Sequence, residues 1–576
     1  MTDADADGAA PAPRAADPPP RRRPPRGAFP IGERLARGYG PFFMLAALVV
    51  GMAALVPSRV PPSATVSAGA AGPGTGAGAA ADAAAIAAGA AAAGADPAAA
   101  AAAAAASAGG AVAGPAAAGA GVQPCADRAM QIPGDPYSPA CLVFAGNNGG
   151  STWEGVTDTE IHVAVRQTQD AGAEAALAEI LGAELADTRA DVDRTILGLA
   201  DYFNQNFQLY GRHIVIDLYP GQGSLGQELL GNGRDKAEID ATYVAEELHA
   251  FADLSGQSEP YADALSRRGV LAFGTPLLSR EWHTARRPYV WSILPDCSIV
   301  TEVAAEYTLA RLAGRPALFA GGDLQGQPRR ITALAPDNSW YQECLNAGRD
   351  ILRAAGYDYE VEPISYQLNL STMSNQASNI IPRLRSEGVT TILCGCDPIF
   401  PVFLSGVANR DGYYPEFVSG YEQDVFGQLW DPEFTKHAFG VSPLGPSQSQ
   451  APYESAGYAA YKAVRDDEPA NGIGLIYYQM YMLVMGIQMA GPNLTPQTYE
   501  QAMFDLPEMF GPAGLWTFGP GDYTPMADYH EMYWDPDGIS SFNGEPGTWV
   551  DPNPGVRYRH GANQLPHGDP PIPRPQ

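Results

Sequence analysis

Glu160-Ile161-His162-Val163-Ala164-Val165 is the stretch on which the fold turns. It is a short, β-branched run, too brief for a helix, and it predicts a buried strand. Downstream, Ile196, Leu199, Ala200, Phe203 and Phe207 repeat at the spacing of one helix face. Gly211 stops that helix, and His213–Tyr219 (HIVIDLY) is the next expected strand. A second helix is expected over roughly Lys236–Phe251 and another strand over Val270–Phe273.

The alternation restarts after Asp296. Val300, Val303, Ala304 and Tyr307 mark one helix face, ending at Gly314. Strands are expected at Ala317–Ala320 and Ile331–Ala335, followed by a helix that carries Tyr341, Cys344, Leu345, Gly348, Ile351, Leu352 and Ala355 in register. Thr390–Cys394, Glu416–Ser419, Ala438–Ser442 and Tyr529–Trp534 read as further strands. Strands alternating with helices imply parallel sheets covered on both faces. One sheet would need too many strands, so the fold class is α/β with two lobes.

The flanks have a different character. Residues 58–122 are almost all Ala, Gly, Pro and Ser, without side chains able to offset the entropy of ordering, and predict a disordered linker. Before it, seven arginines between Arg14 and Arg37 precede an uncharged apolar run, Phe42–Val56. Positive charge ahead of the run keeps the N-terminus cytoplasmic and exports the remainder of the chain. The run is about fifteen residues, against about 20 for a full span. An uncleaved signal anchor is the preferred reading and a cleaved signal the alternative. Residues 1–37 are then a basic cytoplasmic tail and 38–57 the transmembrane anchor. The Pro-rich end, 549–576, is expected to be poorly structured.

The chain of 576 residues carries a formal net charge of −29, which excludes a nucleic-acid partner because no basic stripe offsets phosphates. Its six cysteines are even in number, as suits an exported chain. Cys125 and Cys141 flank a short loop and form the expected disulfide of a lead-in, 123–158. Cys297, Cys344, Cys394 and Cys396 leave three pairings open. Cys394-Gly-Cys396 is neither a redox CxxC nor half of a zinc site.

Gly221-Gln-Gly223-Ser-Leu-Gly226 matches G-x-G-x-x-G, but it follows the second strand and reaches Gly231-Asn-Gly233 before a strong helix starts. A glycine-rich turn is the preferred reading, and no cofactor is expected. The eight histidines fall in no metal-ligand spacing, no GxSxG occurs, and Asp466-Asp467 reads as a solvated turn. The pattern points to binding, not to an enzyme.

Three phrases point further. Gly155-Val-Thr-Asp-Thr-Glu-Ile161 resembles the "GVTDxxI" start of the Leu/Ile/Val-binding branch of ABC-transporter substrate-binding proteins, of the periplasmic-binding type I class. Asn206 with Tyr210-Gly211-Arg212 resembles its first helix-to-strand junction. Gly511–Phe518 with Gly521-Asp522 and then Tyr529–Trp534 resembles its closing segment. The resemblance implies two Rossmann-like lobes joined by three crossovers, near Leu294–Asp296, Val441–Pro446 and Phe518–Met526. Lobe 1 would hold 159–295 and 445–518, and lobe 2 would hold 296–444 and 519–548.

It also implies a small polar ligand, an amino acid, amide or related solute, held between the lobes for an ABC permease. A ligand carboxylate would meet Ser258 and Thr275, an ammonium would meet Glu422 in Gly420-Tyr421-Glu422, and Trp340 and Tyr341 would supply an aromatic wall. Leu254-Ser-Gly-Gln-Ser258 stands where that branch has "GP..S". The alternative function is a cell-surface sensor or interaction protein that keeps the fold without transport.

Overall fold

The computed structural model of the protein describes residues 121–170, 187–229, 231–275, 277–420, 423–444 and 450–575. The basic tail, the anchor and nearly all of the linker lie outside these residues. So does Glu422.

Strands β1 (Val122–Pro124) and β2 (Leu142–Phe144) pair antiparallel beside the Cys125–Cys141 disulfide. Lobe 1 then runs β3 (Glu160–Gln167), α1 (Arg189–Asn206), β4 (His213–Pro220), α2 (Leu225–Leu229), α3 (Arg234–Glu246) and β5 (Ala252–Asp253). It continues with α4 (Glu259–Ser266), β6 (Leu271–Phe273), α5 (Arg280–Ala285) and β7 (Val290–Trp291). All five sheet strands are parallel, in the order β4-β3-β5-β6-β7.

The chain then enters lobe 2 through α6 (Cys297–Tyr307), which passes into a π-helical turn at Thr308–Leu312. Next come β8 (Ile331–Pro336), α7 (Ser339–Ala354), β9 (Ile364–Tyr366), α8 (Leu370–Ser386) and β10 (Thr391–Cys394). They are followed by α9 (Phe400–Arg410), β11 (Glu416–Ser419), α10 (Asp424–Gly427), α11 (Pro432–Thr435) and β12 (Ala438–Ser442).

A return to lobe 1 adds α12 (Ala456–Lys462), α13 (Ile473–Ala490), α14 (Pro496–Phe504) and the hairpin β13 (Met509–Gly511)–β14 (Gly514–Trp516). A last crossing brings β15 (Asp528–Ile539), β16 (Pro546–Val550) and β17 (Tyr558–Arg559) back to lobe 2. The second sheet has the order β16-β15-β12-β11-β10-β8-β9, parallel from β12 to β9, with β15 and β16 antiparallel.

Local chemistry explains the elements that matter. A capping box between Thr188 and Asp191 starts α1, whose Ile196, Leu199 and Phe203 pack into the lobe 1 core. Helix α13 is long and apolar enough to cross a membrane by composition alone. Most of it is buried in the core of lobe 1, where Tyr477 stacks on Phe203 and Tyr481 meets the same ring edge-on, so it is a core helix. Lobe 2 buries two arginine–glutamate pairs. Arg329 meets Glu416 at 2.8 and 2.9 Å, and Arg311 meets Glu531 at 2.9 and 2.7 Å.

Three expectations are corrected. Ala317–Ala320 is a turn, because the Phe319 amide donates to Glu416 and its carbonyl bonds His437 Nδ1, leaving no strand to pair. The second helix stops at Glu246, because the chain must reverse through His249 (φ 51°) before Phe251 can donate to the His162 carbonyl. The C-terminal end is packed. β17 pairs with β15, Leu565 is buried, and the Gly568 amide donates to the Ala310 carbonyl.

Candidate functional site

In open α/β sheets ligands sit outside the carboxyl ends of the strands, and here those ends supply a polar cluster from lobe 1. Arg166, next to last in β3, is fully buried. Its two terminal nitrogens donate to the Glu228 carboxylate at 2.9 and 2.8 Å, and one reaches Asp240 at 3.3 Å. Its guanidinium carbon lies 3.6 Å from the Tyr261 ring centroid. Asp253, ending β5, accepts from the Ser255 amide and hydroxyl, both at 2.6 Å, and from Tyr261 at 2.7 Å. Burial pushes the Asp253 carboxyl up, against the pull of those hydrogen bonds.

The residues singled out from sequence separate into two groups. Ser258 and Thr275 are buried at this rim, and both hydroxyls are engaged. Thr275 donates to the Gly256 carbonyl at 2.5 Å. Ser258 occupies the cap position of α4 without capping it, and donates instead to Glu228. Trp340 and Tyr341 are half-buried at the start of α7. Burial raises the Tyr341 hydroxyl pKa, helped by the nearby Asp397 carboxylate, so it is a neutral donor at physiological pH.

The glycine-rich turn is closed to a dinucleotide for a visible reason. Asp170 accepts from Ser224 Oγ at 2.5 Å and from the amides of Leu225 and Gly226 at 2.6 and 3.2 Å. The start of α2, where a pyrophosphate would lie, thus already holds a carboxylate. The open cysteine pairings resolve as Cys297–Cys344, tying α6 to α7, and Cys394–Cys396 at the end of β10.

Between the lobes lies a pocket of about 250 Å3. Lobe 1 contributes Arg234, Glu259, Ser279 and Trp282, and lobe 2 contributes Ser339, Trp340 and Glu343. Arg234 pairs with Glu259 at 2.6 Å, and Arg286 stacks 3.8 Å from the Trp282 ring centroid. A larger hollow of about 550 Å3, lined by Trp153, His249 and Arg268, opens at the amino ends of β5 and β6, opposite the carboxyl-end cluster.

Sequence reasoning missed Arg166, Glu228 and Trp282. Arg166 had left a signal: it is a charge directly after the apolar run Val163-Ala164-Val165. Glu228 left none, because its partners lie far off in sequence.

Residues 234–539 match the model of a family described as periplasmic binding proteins, and the chain belongs to that family. Solved structures agree on the fold. A leucine-, isoleucine-, valine-, threonine- and alanine-binding protein from Brucella ovis, in its closed conformation, is 14% identical with a TM-score of 0.51. The match covers 71% of this chain and 97% of that one. An ABC-transporter substrate-binding protein from Aeropyrum pernix is 13% identical with a TM-score of 0.50, over 71% and 97% of the two chains. No curated protein sequence matches this chain closely enough to count as a relative.

Proposed function

We propose that the protein is an extracytoplasmic solute-binding protein, held at the membrane by the apolar run Phe42–Val56, that presents a small polar solute to an ABC-type permease. One observation carries this reading. The pocket of about 250 Å3 is walled by an indole from each lobe, Trp282 and Trp340, with polar groups from both sides. A site shared between two lobes couples occupancy to their relative position, because a solute touching both favours the state in which both contacts are made. A volume below the roughly 300–1,000 Å3 of pockets for drug-sized ligands suits a smaller solute. The amino-acid ligands named for the Brucella ovis structure make that class the first to try. Tyr341 follows Trp340 at the start of α7, and Glu422, which lies outside the described residues, is proposed as the acidic partner of a ligand ammonium.

Thermal unfolding of the full-length chain against amino acids, amides, ureas and small carboxylates tests the proposal. A saturable rise in midpoint with at least one solute, lost in Trp340→Leu, is expected. No response across the panel would contradict it and favour the sensor or interaction reading. That alternative draws support from the state of the lobe 1 rim, where the hydroxyls of Ser258 and Thr275 are already bonded within the protein.

A further inference from the structure

Glu228 is completely buried, although it sits on the five-residue helix α2 inside a glycine-rich loop. Its carboxylate takes two guanidinium N–H groups of Arg166 and the hydroxyl of Ser258. A buried cation and a hydroxyl are donors that would equally hold a free carboxylate. Three further features separate this arrangement from an ordinary core ion pair.

The Ser258 hydroxyl forgoes the cap of its own helix to reach Glu228. The loop is pressed against the pair by bare backbone, since a Cβ at Gly223 would fall 2.4 Å from Glu228 Oε1 and 2.7 Å from an Arg166 nitrogen. The next residue also crosses the cleft, because the Leu229 carbonyl accepts from Asn338 Nδ2 of lobe 2 at 3.0 Å.

The geometry points to Glu228 as a tethered ligand, a carboxylate of the chain itself that fills the lobe 1 anion site while Leu229 fastens the same loop to lobe 2. A carboxylate arriving from solution finds Arg166 and Ser258 already bonded. Solute is then held in the pocket beyond the loop, where Gly231, Glu259 and Trp340 form part of the lining, without a carboxylate grip from Arg166. This consequence rests on the solute-binding reading, whereas the occupancy of the anion site does not.

Chemical rescue tests it. The full-length wild type, Glu228→Ala and Glu228→Gln are melted with sodium acetate and, as a matched control, with ethylammonium chloride. The wild type should show no saturable response to either salt. Glu228→Ala should melt several degrees lower and recover saturably with acetate alone.

A wild type stabilised saturably by acetate, or a Glu228→Ala that melts with the wild type and ignores acetate, overturns the inference. Should Glu228→Ala fail to fold with or without acetate, Glu228→Gln decides. It keeps the shape but leaves Arg166 only the longer contact to Asp240, so it must melt below the wild type, and a midpoint at or above wild type refutes the role. Acetate rescue without any solute hit in the wild type would retain the tethered ligand and remove the solute-binding reading. Solute hits without rescue would do the reverse.

Discussion

Arg166 and Glu228 meet through two hydrogen bonds of 2.9 and 2.8 Å with neither side chain exposed to solvent. Removing one member of such a pair strands the other charge in a medium that cannot solvate it, at about 3–5 kcal/mol. Glu228→Ala should lower unfolding stability toward the lower end of that range, because Asp240 stays 3.3 Å from the Arg166 guanidinium. The double variant Arg166→Met, Glu228→Leu should cost less than either single change. Equilibrium urea unfolding followed by tryptophan fluorescence gives both values.

Gly223 supplies a second handle on the same loop. Any Cβ there collides with Glu228 and Arg166, two side chains that cannot yield without breaking their pair. Overpacking of this kind costs about 1–3 kcal/mol. Gly223→Ala should lose that amount, while Gly226→Ala, whose nearest contact would be 3.4 Å from Asp170, should lose less. The comparison of their denaturation midpoints checks the claim.

Asp522 lies in the last crossing between the lobes, its Oδ1 buried and without a hydrogen-bond partner among the described residues. Burial, together with the charge of Asp296, pushes its carboxyl up to about 7, although Arg280 opposes the shift. In the unfolded chain the same group titrates near 3.9. Between those values the folded protein holds a proton that the unfolded chain has released, so this group's contribution to stability is full below about pH 4 and is lost as pH rises through 7. The loss is on the order of 2–4 kcal/mol. Asp522→Asn should stabilise the protein at pH 8 and gain nothing at pH 4, which calorimetric scans at the two pH values would show.

The Cys297–Cys344 bridge closes a loop of 47 residues between α6 and α7. Cross-links over loops of this length stabilise by roughly 2–4 kcal/mol, and this one also anchors the helix that carries Trp340. Cys297→Ser with Cys344→Ser should lower the unfolding midpoint and weaken solute binding together. Parallel melts and titrations of the double variant measure the two effects.

The architecture was legible because periodicity reports burial directly. Glu416–Ser419 and Ala438–Ser442 are strands with the bounds that their apolar runs suggest. Ala317–Ala320 has the same local character and is no strand, since its fate is set by Glu416 and His437, about a hundred residues away. The site was legible only in outline. Trp340 reached the interlobe pocket, but its opposite wall, Trp282, sits on a six-residue helix too short to give a pattern. The Pro-rich end misled for a related reason. Composition does not reveal that Arg557 pairs with Asp528 at 2.9 Å or that β15 offers an edge for Tyr558.

Hydrogen–deuterium exchange on the full-length chain, with and without a solute that raises its melting point, tests the two-lobed binding account most directly. The account predicts that amides in 279–282 of lobe 1 and 339–343 of lobe 2 slow together when solute is added, because one ligand touches both walls. Protection confined to one lobe, or appearing instead around Trp153 and His249 at the amino ends of β5 and β6, would contradict it.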